Sequence, residues 1–240
     1  MSAPGFQLRS GDTGPVQQSP VTCGSACLTV ARMLVDPAFA RWMTTGEPRL
    51  PGLPVRATEQ ERFAAHERLV LARTNGVRGW DGSWSLPWPR SLGTPPWGAR
   101  RELEFGASRN GTTYETVVLR GRRPAALARG FHRLREVVAH GEPALLFVGD
   151  RWLPRHVTLV LPGDGGAALD VYDPGTGRVT ELDAGEFRRR DLHLSGWSHP
   201  WIAVQPTGLR RVPVTTTSAE RIRHLLPHPN GPVPETMTLP

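Results

Sequence analysis

The spacing of apolar residues changes character near residue 143, and that change limits the architecture of this chain more than any other feature. Up to His140 the apolar residues recur three or four apart, the period of one helix face. From PALLFVGD (143–150) onward they fall in short runs or alternate, which is the period of strands. The pattern returns in RHVTLVLP (155–162), ALDVYDP (168–174), GRVTELD (177–183) and WIAVQP (201–206). Turn sequences such as Gly163-Asp164-Gly165-Gly166 and Pro174-Gly175-Thr176-Gly177 separate them. Helices followed by a run of strands predict an α+β fold, with an N-terminal helical layer packed on a C-terminal antiparallel meander.

Within the helical half, CGSACLTVARMLV begins at Cys23, with Thr22 as a natural N-cap. Asp36-Pro37 restarts a short helix through Trp42, with proline at the first helical position. Residues 58–75 form an amphipathic helix opened by a Thr58/Glu61 capping box. A Gly/Pro-rich loop then carries Trp80, Trp84, Trp88 and Trp97 before the chain turns helical again after Pro95-Pro96. Residues 112–119 fit a helix or a strand equally well, and 123–140 reads as a helix. The expected organisation is a flexible arm at 1–13, one domain at 14–206 and a flexible Pro-rich tail at 207–240, with a short helix at 218–226.

All 29 basic residues are arginine, so the net charge of +7 reflects a uniform preference for Arg over Lys rather than a dedicated cationic face. The runs Arg120–Arg123 and Arg188–Arg190 lack the interleaved exposed aromatics of a nucleic-acid surface, so nucleic acid is not expected as a substrate. The absence of lysine excludes Schiff-base and Ser/Lys chemistry. No apolar run reaches the length of a membrane span and the N-terminus lacks the order of a secretory signal, which predicts a cytoplasmic protein without a membrane segment. Cys23 and Cys27 lie one helical turn apart, a poor geometry for a disulfide, and read as reduced thiols. His224 and His228 make the one H-x3-H pair, in the tail, so no metal and no other cofactor is expected.

Cys23 at the first turn of a helix is placed where backbone N–H groups favour negative charge, as a thiolate nucleophile requires. Gly24 beside it would let a substrate carbonyl approach the backbone, and the Cys23 N–H would donate to an oxyanion. His156 opens one strand and Asp173 ends the next, so a hairpin brings a base and its orienting carboxylate together. The four tryptophans would line a substrate cleft.

Gln17-x5-Cys23-Gly24-x-Ala26-Cys27-Leu28, then His156-Val157-Thr158-Leu159-Val160, then Val171-Tyr172-Asp173-Pro174, resembles the C39-like cysteine peptidases of the papain-like group. The resemblance implies a papain-like fold, with Cys23 as nucleophile, His156 as general base, Asp173 as orienting acid and Gln17 in the oxyanion hole. It implies a peptide or protein substrate. The sequence departs from the family at Thr22, where an acidic or amide residue is common, and in the long Trp/Pro loop before the histidine strand. Three outcomes stay open: hydrolysis of a peptide or isopeptide bond, acyl transfer or glutamine deamidation by the same triad, and a non-catalytic binding protein on the same fold.

Overall fold

The computed structural model describes residues 5–48, 58–76, 84, 86 and 88–210. The expected short helix at 218–226, His224, His228 and Trp80 lie outside the described residues. The helical half comprises α1 (Cys23–Val35), α2 (Pro37–Thr45), α3 (Glu59–Thr74) and α4 (Pro96–Gly106). Asp36 caps α2 by accepting from Phe39 N, and the Thr58/Glu61 capping box opens α3, as their sequences require. Thr112–Val118, ambiguous in sequence, is strand β1, followed by α5 (Pro124–Val138). Pairing decides β1: its backbone groups are satisfied along the edge of a sheet by the far-off strand β6 (His199–Arg210).

The remaining strands are β2 (Ala144–Gly149), β3 (Pro154–Val160), β4 (Leu169–Tyr172) and β5 (Val179–Leu182), with a short helix α6 (Ala184–Arg189) before β6. The sheet order is β1-β6-β2-β3-β4-β5, and all its pairs are antiparallel. The meander therefore holds from β2 to β5. β6 does not extend it but returns to the free side of β2, which makes β2 a central strand with all six residues buried.

Helices cover both faces of this sheet rather than the single face expected. Leu145, Phe147, Val157 and Leu159 join the core built on α1, α2, α3 and α4, whereas Leu146, Val148 and Val160 pack with Leu127, Phe131 and Leu134 of α5 and Phe187 of α6. Alternate side chains of a strand point to opposite faces, so a strand as uniformly apolar as ALLFV needs cover on both.

At the N-terminus, residues 11–13, expected in the flexible arm, lie against the start of β5. Gly11 N donates to Val179 O and Val179 N to Asp12 O, Thr13 bridges to Arg178, and Leu8 enters the core. This segment occupies the outer edge of β5, whose N–H and C=O groups would otherwise be unpaired. At the other end β6 runs to Arg210, four residues past the expected domain limit at 206, because β1 offers it a partner that far.

Candidate active site

His156 and Asp173 meet at one end of the sheet. The hairpin β3–β4 pairs Leu159 with Tyr172, so His156 and Asp173 fall just beyond the regular ladder. The register of β2 against β3 shifts between Val148 and Gly149, opposite the first residues of β3, and such a shift re-aims neighbouring side chains. His156 Nε2 lies 2.7 Å from Asp173 Oδ1, and both residues are buried. With Nε2 committed to Asp173, the other ring nitrogen is left for Cys23, whose interaction with the imidazole favours its charged form.

Cys23 is the first residue of α1, and only 3% of its surface is exposed. Thr22 occupies the N-cap position but makes no capping hydrogen bond. Its hydroxyl turns instead to Ser19, donating to the carbonyl at 2.8 Å and accepting from the N–H at 3.1 Å. The first-turn amides of a helix have no intrahelical acceptor, and an uncapped start leaves them for another oxygen.

Gln17 reaches the site through the N-terminal segment. Its backbone N–H donates to Pro174 O at 2.9 Å, tying it to the residue after Asp173. Its Nε2 donates to Ser19 O at 2.8 Å, while Oε1 is buried without a partner. Gly14 N donates to Gly177 O and the Tyr172 hydroxyl to Pro15 O, so the stretch before Gln17 is fastened along the turn that carries Asp173.

Burial opposes charge on His156, but the hydrogen bond with Asp173 and the interaction with Cys23 outweigh it and raise the imidazole from 6.5 to about 9. Burial likewise opposes the Asp173 carboxylate. Hydrogen bonds from His156, Ser195 and the Gly175 N–H overcome it and hold this carboxyl below its ordinary value. The two shifts favour an imidazolium beside a carboxylate. Cys27, a turn below Cys23, is fully buried with Sγ 3.4 Å from Val157 O, and burial, then the neighbouring Cys23, pushes its thiol well up. It is suited to packing rather than to nucleophilic attack.

Three further groups hold the site: Gly175 belongs to the glycine turn after Asp173 that the sequence marks, whereas Ser195 and Glu67 carry no recognisable signal. Ser195 Oγ donates to Asp173 Oδ2 at 2.6 Å, from a turn where Ser195 has φ of 49°, and Gly175 N donates to Oδ1 at 2.9 Å. Glu67 of α3, fully buried, accepts from Gln18 N at 3.2 and 3.3 Å. It grips the loop between Gln17 and Cys23 from behind. Its carboxyl is raised by burial, which outweighs these hydrogen bonds.

The groups expected to line a cleft fare differently. The space beside Gly24, expected to receive a substrate carbonyl, holds the side chain of Thr94: a Cβ at Gly24 would lie 2.6 Å from Thr94 Cβ. The glycine thus serves close packing between α1 and the Trp-rich loop. Gly93, with φ of 68°, lies as tightly against Val21 O, which fixes the same loop against the start of α1. Trp88 and Trp97 form an edge-to-face pair with ring centroids 5.2 Å apart, and both indole N–H groups are buried without a partner among the described residues. Trp84 is exposed.

Among the described residues no cluster of three His, Cys, Asp or Glu side chains could hold a metal ion, and no helix is long and apolar enough to cross a membrane.

No protein-family model matches the sequence, and no curated protein matches it either. Solved structures that resemble the fold include two that it covers almost to their full length. One is the avirulence protein AvrPphB of Pseudomonas, 13% identical, with a TM-score of 0.41 over 80% of this chain and 95% of that one. The other is the peptidase domain of Streptococcus ComA, a bifunctional ABC transporter involved in quorum sensing, 14% identical, with a TM-score of 0.34 over 81% of this chain and 98% of that one.

Proposed function

We propose that this chain is a cysteine peptidase of papain-like architecture, acting through Cys23, His156 and Asp173 on a peptide or protein substrate. One observation carries the reading: a buried carboxylate holds an imidazole at 2.7 Å, and that imidazole interacts with a thiol at an uncapped helix start.

In the proposed mechanism His156 takes the Cys23 proton and remains an imidazolium, held by Asp173 on one side and the thiolate on the other. The thiolate attacks the substrate carbonyl carbon. The oxyanion that forms is received by the Cys23 N–H and by the second hydrogen of Gln17 Nε2, the first being occupied by Ser19 O. His156 then protonates the departing amine as the C–N bond breaks, leaving an acyl-enzyme. A water deprotonated by His156 attacks the thioester, and the thiol leaves with its proton restored. Ser195 and Gly175 keep Asp173 oriented throughout.

Alkylation by iodoacetamide, read by intact mass, tests the nucleophile. Wild type is expected to be modified once, at Cys23, at about pH 6, and His156→Ala to react at least about tenfold more slowly. Equal rates in the two proteins would remove the thiol–imidazole pair. Incubation with a mixed peptide library tests the reaction: wild type should generate new C-termini with uptake of one water, and Cys23→Ser none. Products lacking that water would point instead to transfer onto another acceptor.

A further inference from the structure

Three arginines that are far apart in the sequence close around one groove of about 500 Å3. Arg120 comes from the turn after β1, Arg151 from the β2–β3 turn and Arg190 from the end of α6, with His199 and Trp201 of β6 in the wall. Each guanidinium is held by a neutral group: Arg120 lies over the Trp201 ring at 4.3 Å, Arg151 over Trp152 at 4.4 Å, and Arg190 donates to the carbonyl of Arg122. Among the described residues none of the three pairs with a carboxylate. Asp150 also lines the groove, but its carboxylate accepts from Trp152 N and Leu153 N and pairs with Arg155 at 3.3 Å. Its charge is therefore committed within its own turn. Arg190 is the left-handed C-cap of α6, φ 58°, so the end of that helix sets its side chain at the groove. Gathering like charges is unfavourable until an anion joins them, and the planar guanidinium fork matches a carboxylate or a phosphate.

The groove opens at the end of the sheet that carries His156 and Asp173. His199 pairs with Gly149, and Val148 pairs with His156, so β6 lies two strands from β3. At about 4.8 Å between strands the separation is about 10 Å, which an extended peptide covers in about three residues.

We propose that this groove binds acidic side chains of the substrate polypeptide, about three residues from the scissile bond. The link to cleavage rests on the peptidase reading, but binding is measurable without it. Fluorescence anisotropy with labelled hexaglutamate, hexaglutamine and a ten-residue oligothymidylate tests the groove directly. Hexaglutamate should bind wild type at least about tenfold more tightly than hexaglutamine, and raising the salt should weaken it. Arg120→Ala/Arg190→Ala should lose at least about fivefold of that affinity. Because loss of Arg120 uncovers Trp201, Arg151→Glu, on an exposed turn, provides a second variant expected to lose affinity without disturbing the core. Equal binding of hexaglutamate and hexaglutamine, or unchanged affinity in both variants, would overturn the proposal. So would tighter binding of the oligothymidylate that the same variants abolish, since the groove would then be a nucleic-acid site. Failure of Cys23 alkylation in wild type would sink the peptidase reading and leave the binding result standing.

Discussion

Replacing Asp173 by asparagine separates the charge of the orienting group from its shape. Asp173 Oδ1 receives His156 Nε2 at 2.7 Å and Gly175 N at 2.9 Å, and Oδ2 receives Ser195 Oγ at 2.6 Å. An amide oxygen in place of Oδ1 would still accept from both nitrogens. The amide nitrogen would then face Ser195, whose hydroxyl can rotate from donor to acceptor. The geometry should survive and the charge should not. A hydrogen bond to a charged group is worth about 1.5–3 kcal/mol against about 0.5–1.5 for a neutral one, so the imidazolium loses about 1–1.5 kcal/mol, or about tenfold in rate. Asp173→Ala removes the acceptor altogether, strands the Gly175 N–H and frees the imidazole, and should slow the reaction by at least about a hundredfold. The assay is the second-order rate of Cys23 alkylation between about pH 5 and pH 9, with thermal melts as a check on folding. A graded series of wild type, Asn and Ala is expected, with the Asn variant melting within a few degrees of wild type. If all three proteins react alike, Asp173 does not hold His156 and the assignment is wrong. If Asn is as slow as Ala, charge rather than orientation is the whole of its contribution.

Two further outcomes follow from the same groups. Because the folded-state value of His156 is raised from 6.5 to about 9, its charged form stabilises the fold fully below about 6.5, and this contribution, roughly 3 kcal/mol, fades as pH rises through about 9. Melting temperature should fall across that window in wild type and less steeply in Asp173→Asn; parallel curves would contradict the linkage. Glu67→Gln keeps the shape of the side chain that grips Gln18 N but weakens the grip, so the loop bearing Gln17 should be less well placed. Affinity for N-acetylglycinal, whose adduct carries an oxyanion, should drop about fivefold, while iodoacetamide alkylation, which forms none, should stay within about twofold. An equal loss in both would make Glu67 merely structural.

The sequence alone determined those features that depend on near neighbours. The helix over 58–75 was legible because Thr58 and Glu61 form its cap three residues apart, and α2 because Asp36 and Pro37 start it. The strands from β2 to β5 were legible because their alternation and their glycine turns are local signals. His156 and Asp173 could be paired in advance because a short hairpin joins them, leaving the chain little freedom to separate their ends.

What only the tertiary structure decided depends on partners distant in the chain. β1 became a strand because β6, almost a hundred residues later, satisfied its backbone. The helices divided between two faces because β6 made β2 a central strand, and its side chains, apolar in both directions, are covered by α1–α4 on one face and by α5 and α6 on the other. Thr22 sits where a cap belongs, yet its hydroxyl goes to Ser19, in a loop that Glu67 of α3 holds through Gln18 N. Ser195 reaches Asp173, and Arg120, Arg151 and Arg190 share a groove, through folding alone, since nothing in their local sequence marks them. Local spacing encodes hydrogen bonds and turns within a few residues. Contacts between segments far apart in the chain exist only once burial of the apolar faces has set the order of the strands.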